Sequence, residues 1–182
     1  MTQALYFIVK SLAHLYVLLY LLRFWLPWVH ADFRNPIAQG ILRFTSPMIV
    51  PVRRFIPSIG RLDTATVLVT LAIEYVVVFV LFQIAGQPVD FLFIGLVALA
   101  QLCILSLHLF SIAIFVRVIL SWFGQQTYNP MVAIAGAMAE PVVRPFRRLI
   151  PTIGGIDFSP FVTIVLLQAT VIYVQSLIQI RI

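Results

Sequence analysis

Four stretches of this chain are long and apolar enough to cross a bilayer, and no other feature restricts the fold as tightly. They run roughly over residues 4–29, 64–84, 96–123 and 158–180, the third with an apolar extension back to Phe91. A helix needs about 20 apolar residues to span a hydrocarbon core of about 30 Å. With 62% hydrophobic and 10% charged residues, the chain has too little charge to cover a soluble surface. It reads as an integral, all-α membrane protein. The formal charge of +6 then points to basic loops facing anionic membrane lipid, not to nucleic acid. The first span has no early basic residue and no small-x-small cleavage site after it, so it is read as retained. Cys103 is the single cysteine and lies inside an apolar run, with no disulfide partner and no zinc-type spacing.

The spans belong to two tandem repeats. Shifting the chain by 94 residues without gaps makes 16 of the 50 positions from 14 to 63 identical. His14 meets His108, Arg23 meets Arg117, Trp28 meets Trp122, and Asn35-Pro36 meets Asn129-Pro130. "PVRRFIPSIGRLD" at 51–63 returns as "PFRRLIPTIGGID" at 145–157, with eight of thirteen positions identical. Chance matching of apolar runs pairs Leu with Leu; it does not pair His, Arg, Trp, Asn and Asp in register. Residues 1–90 and 91–182 are therefore expected to be the two units, each a helical hairpin of two spans. A unit with two spans ends on the side where it began, so the repeats are parallel. Basic residues set the orientation. Loop 30–63 carries Arg34, Arg43, Arg53, Arg54 and Arg61, and loop 124–157 carries Arg144, Arg147 and Arg148. The positive-inside rule makes these loops cytoplasmic and turns both termini outward, in a bacterial inner membrane.

Each loop reads as a device for leaving and re-entering the membrane. Asn35 and Asn129 are expected helix caps, with Pro36 and Pro130 in the first turn. The short apolar helix that follows is expected to end at Ser46-Pro47 or Glu140-Pro141, with a second short turn from Pro51 or Pro145. Arg53, Arg54, Arg144, Arg147 and Arg148 would lay their stems on apolar surface and reach phosphates or a partner protein. Asp63 and Asp157 are the expected caps of the returning spans.

The pattern "NPMVAIAGAMAEPVVRPFRRLIPTIGGIDFSP" at 129–160 resembles the YggT family, whose hairpin loop carries N-P, then P-x-R-R-x-I-P, then G-x-D-x-S-P. The first copy departs from it, with "LDTAT" where the second has "IDFSP". The resemblance covers nearly the whole chain. It implies a small membrane protein with no established reaction, from a family linked to osmotic-stress tolerance and potassium uptake and to division and envelope organisation. In plastids the family is linked to haem attachment on a cytochrome.

Polar groups inside the spans each call for a reason, because a buried charge costs about 2.5–3.5 kcal/mol on insertion scales. Arg23 and Arg117 lie near the cytoplasmic ends and are expected to snorkel. Glu74 stands about 16 Å along its helix from Asp63, close to mid-membrane, with Gln168 as its repeat mate. His14 and His108 are also deep, with Lys10 one turn before His14. Interhelical hydrogen bonding is the expected role of these four. Two alternatives stand beside it: a cation or proton carried by Glu74 and His14, and a haem iron held between His14 and His108. No catalytic set, carboxylate pair, phosphate loop or metal spacing occurs in the sequence. The expected function is that of a non-enzymatic accessory or scaffold protein without a cofactor, its partners anionic lipid, a membrane or cytoplasmic protein, or further copies of itself. An ion-conducting or ion-regulating protein and a haem-handling assembly factor are the alternatives.

Overall fold

The computed structural model describes residues 2–60, 62–88, 90–122, 129–152 and 157–179. Six helices carry them: α1 (Thr2–Trp28), α2 (Pro36–Arg53), α3 (Thr64–Ala85), α4 (Phe91–Trp122), α5 (Pro130–Leu149) and α6 (Ser159–Gln179). No strand occurs among the described residues, only a bridge between Ile59 and Leu62. Helices α1, α3, α4 and α6 are the four long and apolar enough to cross a membrane. The span ends expected at residues 123 and 180, with Arg61, Gly155 and Arg181, lie outside the described residues.

The two halves are built alike. Helix α1 packs on α3 as α4 packs on α6; α2 lies against α1 and α3 as α5 lies against α4 and α6. Two further contacts, α1 with α4 and α2 with α5, pair an element with its own repeat mate. Only a two-fold axis along the membrane normal does that to a parallel repeat. The main apolar core fills this seam, with Val17, Leu21 and Leu26 of α1 against Leu105, Leu109 and Ala113 of α4, and Ile41 of α2 near Ile134 and Met138 of α5. Polar ties cross the seam as well. Trp25 Nε1 donates to Ser106 Oγ at 3.1 Å, the Trp25 ring meets Phe110 edge-on at 4.9 Å, and Asn35 Nδ2 donates to the Pro130 carbonyl at 2.8 Å.

One contact breaks the symmetry. Helix α3 also packs on α4, because the connection between them is short. Gly86 ends α3 at φ 67°, a left-handed conformation that costs glycine nothing, and its amide and that of Gln87 return to Gln83 and Phe82. Asp90 then starts α4: its Oδ1 accepts from the Leu92 amide at 3.0 Å. The extension back to Phe91 is thus continuous helix with the rest of α4.

The loop helices differ from expectation. Neither α2 nor α5 stops at its first proline; α2 runs through Pro47 and Pro51, and α5 through Pro141 and Pro145. A proline removes one backbone bond and crowds the preceding turn, at about 3 kcal/mol or more in an ordinary helix. All four prolines lie on the exposed face, so each freed carbonyl faces outward, where water or headgroups can solvate it. The opposite face keeps its ladder and is buried, through Ile41, Thr45 and Ile49 in α2 and Ala135, Ala139 and Val143 in α5. Burial of that face outweighs the local breaker.

Parallel repeats put both loop helices on one side. In a Cys103→Ser background, Gln39→Cys and Met131→Cys should react with an impermeant thiol reagent from the same side of sealed membranes, and Gln87→Cys from the other. Labelling of residues 39 and 131 from opposite sides would contradict the fold.

Candidate functional site

The loop helices are held at three points in each repeat. At the start, Asn35 Oδ1 accepts from the Ile37 amide at 2.9 Å and Asn129 Oδ1 from the Met131 amide at 2.8 Å. In the middle, the outgoing span reaches across with an arginine. Arg23 Nη1 donates to Thr45 Oγ1 at 2.8 Å, Ser46 Oγ at 3.0 Å and the Leu42 carbonyl at 3.2 Å. Its repeat mate Arg117 donates to Glu140 Oε2 at 2.6 Å, and Glu140 stands where Ser46 stands in the first copy. Arg23 is only 6% exposed. Both arginines therefore clamp a loop helix to its span; neither snorkels free.

At the far end, the loop helix is tied to the returning span. Arg53 pairs with Asp63, and Arg147 Nε donates to Asp157 Oδ2 at 2.9 Å. Arg147 also faces Glu140 at 3.3 Å, so the second repeat links Arg117, Glu140, Arg147 and Asp157 in one chain. The aspartates act less as simple caps than their positions suggest. Asp63 sits at the N-cap of α3, yet its side chain makes no cap bond to a first-turn amide. Its Oδ2 takes the Thr66 hydroxyl at 2.6 Å and the Arg53 guanidinium instead. Asp157 Oδ1 does accept the Ser159 amide, at 2.9 Å. Burial pushes the carboxyls of Asp63 and Asp157 upward; hydrogen bonds from Thr66 and Arg53, or from Ser159 and Arg147, outweigh it and hold both below the usual carboxylate range. The Arg117 hydrogen bond does the same for Glu140.

These ties consume Arg53 and Arg147 but leave Arg54, Arg144 and Arg148 exposed at the ends of α2 and α5. Around them lie exposed apolar side chains: Phe44, Met48, Phe55 (85% exposed) and Leu149. Side by side, α2 and α5 form one surface of cations and large apolar groups.

Of the mid-membrane residues, Gln168 makes the expected interhelical hydrogen bond, whereas Glu74 and His14 Nε2 do not. Gln168 Nε2 donates to Ser111 Oγ at 3.3 Å. Glu74 is fully buried, and neither of its carboxylate oxygens has a hydrogen-bond partner. His14 Nε2 stands 3.7 Å from Glu74 Oε1 and is likewise unpartnered. Lys10 and His108 are the other titratable groups near the pair. Clefts of about 670, 580 and 460 Å³ open on the helices, and neither histidine lines any of these. Among the described residues no group of three His, Cys, Asp or Glu gathers as a metal site.

Sequence reasoning missed Glu140 and Asp90. Glu140 was legible through the repeat: Arg23 to Ser46 and Arg117 to Glu140 have the same separation of 23 residues. Asp90 stands two residues before Leu92, whose amide it caps.

The chain is similar to known proteins along most of its length. A family model described as CCB3/YggT matches the chain twice, over residues 2–84 and 96–178. The uncharacterised protein YggT of Escherichia coli (strain K12) is 36% identical over 97% of this chain and 92% of its own length. An uncharacterised protein of Pseudomonas aeruginosa is 38% identical over 87% of this chain and 81% of its own, and one from Vibrio alginolyticus 38% over 89% and 88%. No solved structure matches.

Carboxylates held below their ordinary range add stability that is present above about pH 4 and lost as pH falls through their lowered values. Thermal stability should therefore stay level from neutral pH to about pH 4 and drop below it. Glu140→Gln, which keeps an acceptor but removes the charge from two arginines, should cost roughly 0.2–1 kcal/mol at neutral pH and flatten part of that acid decline. Differential scanning fluorimetry of the detergent-solubilised protein measures both.

Proposed function

The chain belongs to the CCB3/YggT family, and from that premise we propose that it is a non-enzymatic accessory protein that presents α2 and α5 as a paired docking face for anionic lipid. On this reading the protein sits in the bacterial inner membrane with both loop helices on the cytoplasmic side, where anionic headgroups attract basic segments. The observation that carries it is the division of labour among the arginines. Arg23, Arg53, Arg117 and Arg147 are engaged within the chain, while Arg54, Arg144 and Arg148 stand exposed beside Phe44, Phe55 and Leu149. Aromatic and aliphatic groups next to free guanidinium groups suit the boundary between acyl chains and phosphates. A rigid face of this kind, anchored by four spans, suits the envelope-organising role that the family resemblance implies.

The proposal is tested with full-length protein in nanodiscs. Replacing zwitterionic lipid by phosphatidylglycerol should raise the unfolding temperature, as binding to the folded state does. The triple variant Arg54→Gln, Arg144→Gln, Arg148→Gln should lose most of that increment while its stability in zwitterionic lipid stays the same. An increment equal to that of the unaltered protein would refute the lipid face.

A further inference from the structure

The first repeat holds a line of polar side chains that its own duplicate lacks. On α1, Tyr6, Lys10 and His14 follow at intervals of four residues, so they share one face. That face turns inward: all three are half-buried, whereas Leu5, Phe7, Ile8, Leu12 and Leu15 around them are more than half exposed. On α3, Thr66, Thr70 and Glu74 repeat the interval and are all buried. The α1 line starts at the end carrying the α3–α4 connection, where Tyr6 lines a cleft of about 670 Å³ together with Gln87 and Asp90. The α3 line starts at the loop-helix end, where the Thr66 hydroxyl donates to Asp63 at 2.6 Å. The two lines meet at mid-membrane, where His14 Nε2 faces Glu74 Oε1 at 3.7 Å.

The second repeat supplies an internal control. Its equivalents of Tyr6 and Lys10 are Ala100 and Ile104, and those of Thr66, Thr70 and Glu74 are Pro160, Ile164 and Gln168. Buried hydroxyls do occur there, at Ser159 and Thr163, but one turn further on that face carries Leu167. The same hairpin therefore packs without the line, so helix packing does not explain its presence. Nor does hydrogen bonding at its centre, because both Glu74 oxygens and His14 Nε2 are buried without partners. A fully buried carboxylate in that state is costly unless something binds it.

We propose that this column is a proton path across the membrane, with Glu74 and His14 as its central exchange site. A proton is the cation that fits, because it needs one donor and one acceptor, and the centre offers two facing groups and no larger set of metal-ligating side chains among the described residues. In the central step the His14 Nε2–H bond breaks and a Glu74 Oε1–H bond forms, leaving a neutral imidazole and a neutral carboxyl. The 3.7 Å gap exceeds the hydrogen-bond range of about 2.7–3.2 Å, so the step waits on a small approach of α1 and α3. The titratable groups around Glu74 are Lys10 and His14 from α1 and His108 from α4; α2 meets α3 near its start, where Arg53 holds Asp63. Thr70 and Thr66 stand at one-turn intervals between Glu74 and the Asp63 end; Thr70 Oγ1 rests on the Thr66 carbonyl at 2.6 Å and Thr66 Oγ1 on Asp63 at 2.6 Å, and each hydroxyl can accept and give a proton once it turns from that bond.

The experiment uses the full chain in liposomes loaded with a pH-sensitive dye, with a potassium diffusion potential set by valinomycin. The unaltered protein should pass protons at a rate at least several-fold above protein-free liposomes. Glu74→Gln, an amide the fold accepts at Gln168, should fall to the protein-free rate while keeping the same unfolding temperature. Thr70→Ile, which copies its repeat mate Ile164, should slow the flux about tenfold, and it carries the test should Glu74→Gln fold poorly. Gln168→Leu, outside the column, should leave the rate unchanged. A protein-free rate for the unaltered chain, a full rate for Glu74→Gln or Thr70→Ile, or potassium movement without protons would each overturn the proposal.

Discussion

An arginine that enters the edge of a bilayer must bring its counter-charge along or pay for leaving water. Both halves of this protein meet that demand at the same place, by tying the last turn of a loop helix to the first turn of the returning span. Arg53 with Asp63 and Arg147 with Asp157 are ten residues apart in each copy. That tie fixes where the chain turns and therefore which face of α3 or α6 meets the outgoing span. The clamps from Arg23 and Arg117 hold the middle of each loop helix, so α2 and α5 lie as rigid struts and can pack against each other on the two-fold axis.

Duplication left each copy free to specialise around that common frame. Where the first repeat completes its clamp with the hydroxyls of Thr45 and Ser46, the second uses the carboxylate of Glu140 and gains a four-residue ionic chain. Where the second repeat fills mid-membrane with Ile104, Ile164 and Gln168, the first keeps Lys10, Thr70 and Glu74. The two differences fall at different depths. The frame at the loop end is shared, while the line of polar side chains that runs through Lys10, His14, Thr70 and Glu74 belongs to the first hairpin.

Much of the fold was legible because its signals are long. Spans of about 20 residues and a repeat carried by His, Arg, Trp, Asn and Asp survive any local ambiguity. The continuity of α2 and α5 was not legible, because proline chemistry is local and the burial that overrides it depends on Ile41, Thr45 and Ile49 finding a partner surface. The clamps were hidden for a related reason. Arg23 meets residues 19 to 23 positions away, a reach set by the angle at which the loop helix folds back. The depth of Glu74 was legible from its distance to Asp63. That it faces His14, sixty positions away, depends on the rotation of two packed helices and was visible only in the structure.

The closing ion pair is tested most directly by charge exchange in the second repeat. Arg147→Asp alone brings three carboxylates together at the end of α5 and should lower both the amount of folded protein in the membrane and its unfolding temperature. Adding Asp157→Arg restores opposite charges at the same two positions, so the double variant should recover much of both losses. If the double variant is no better than Arg147→Asp, the pairing of Arg147 with Asp157 does not hold the hairpin closed.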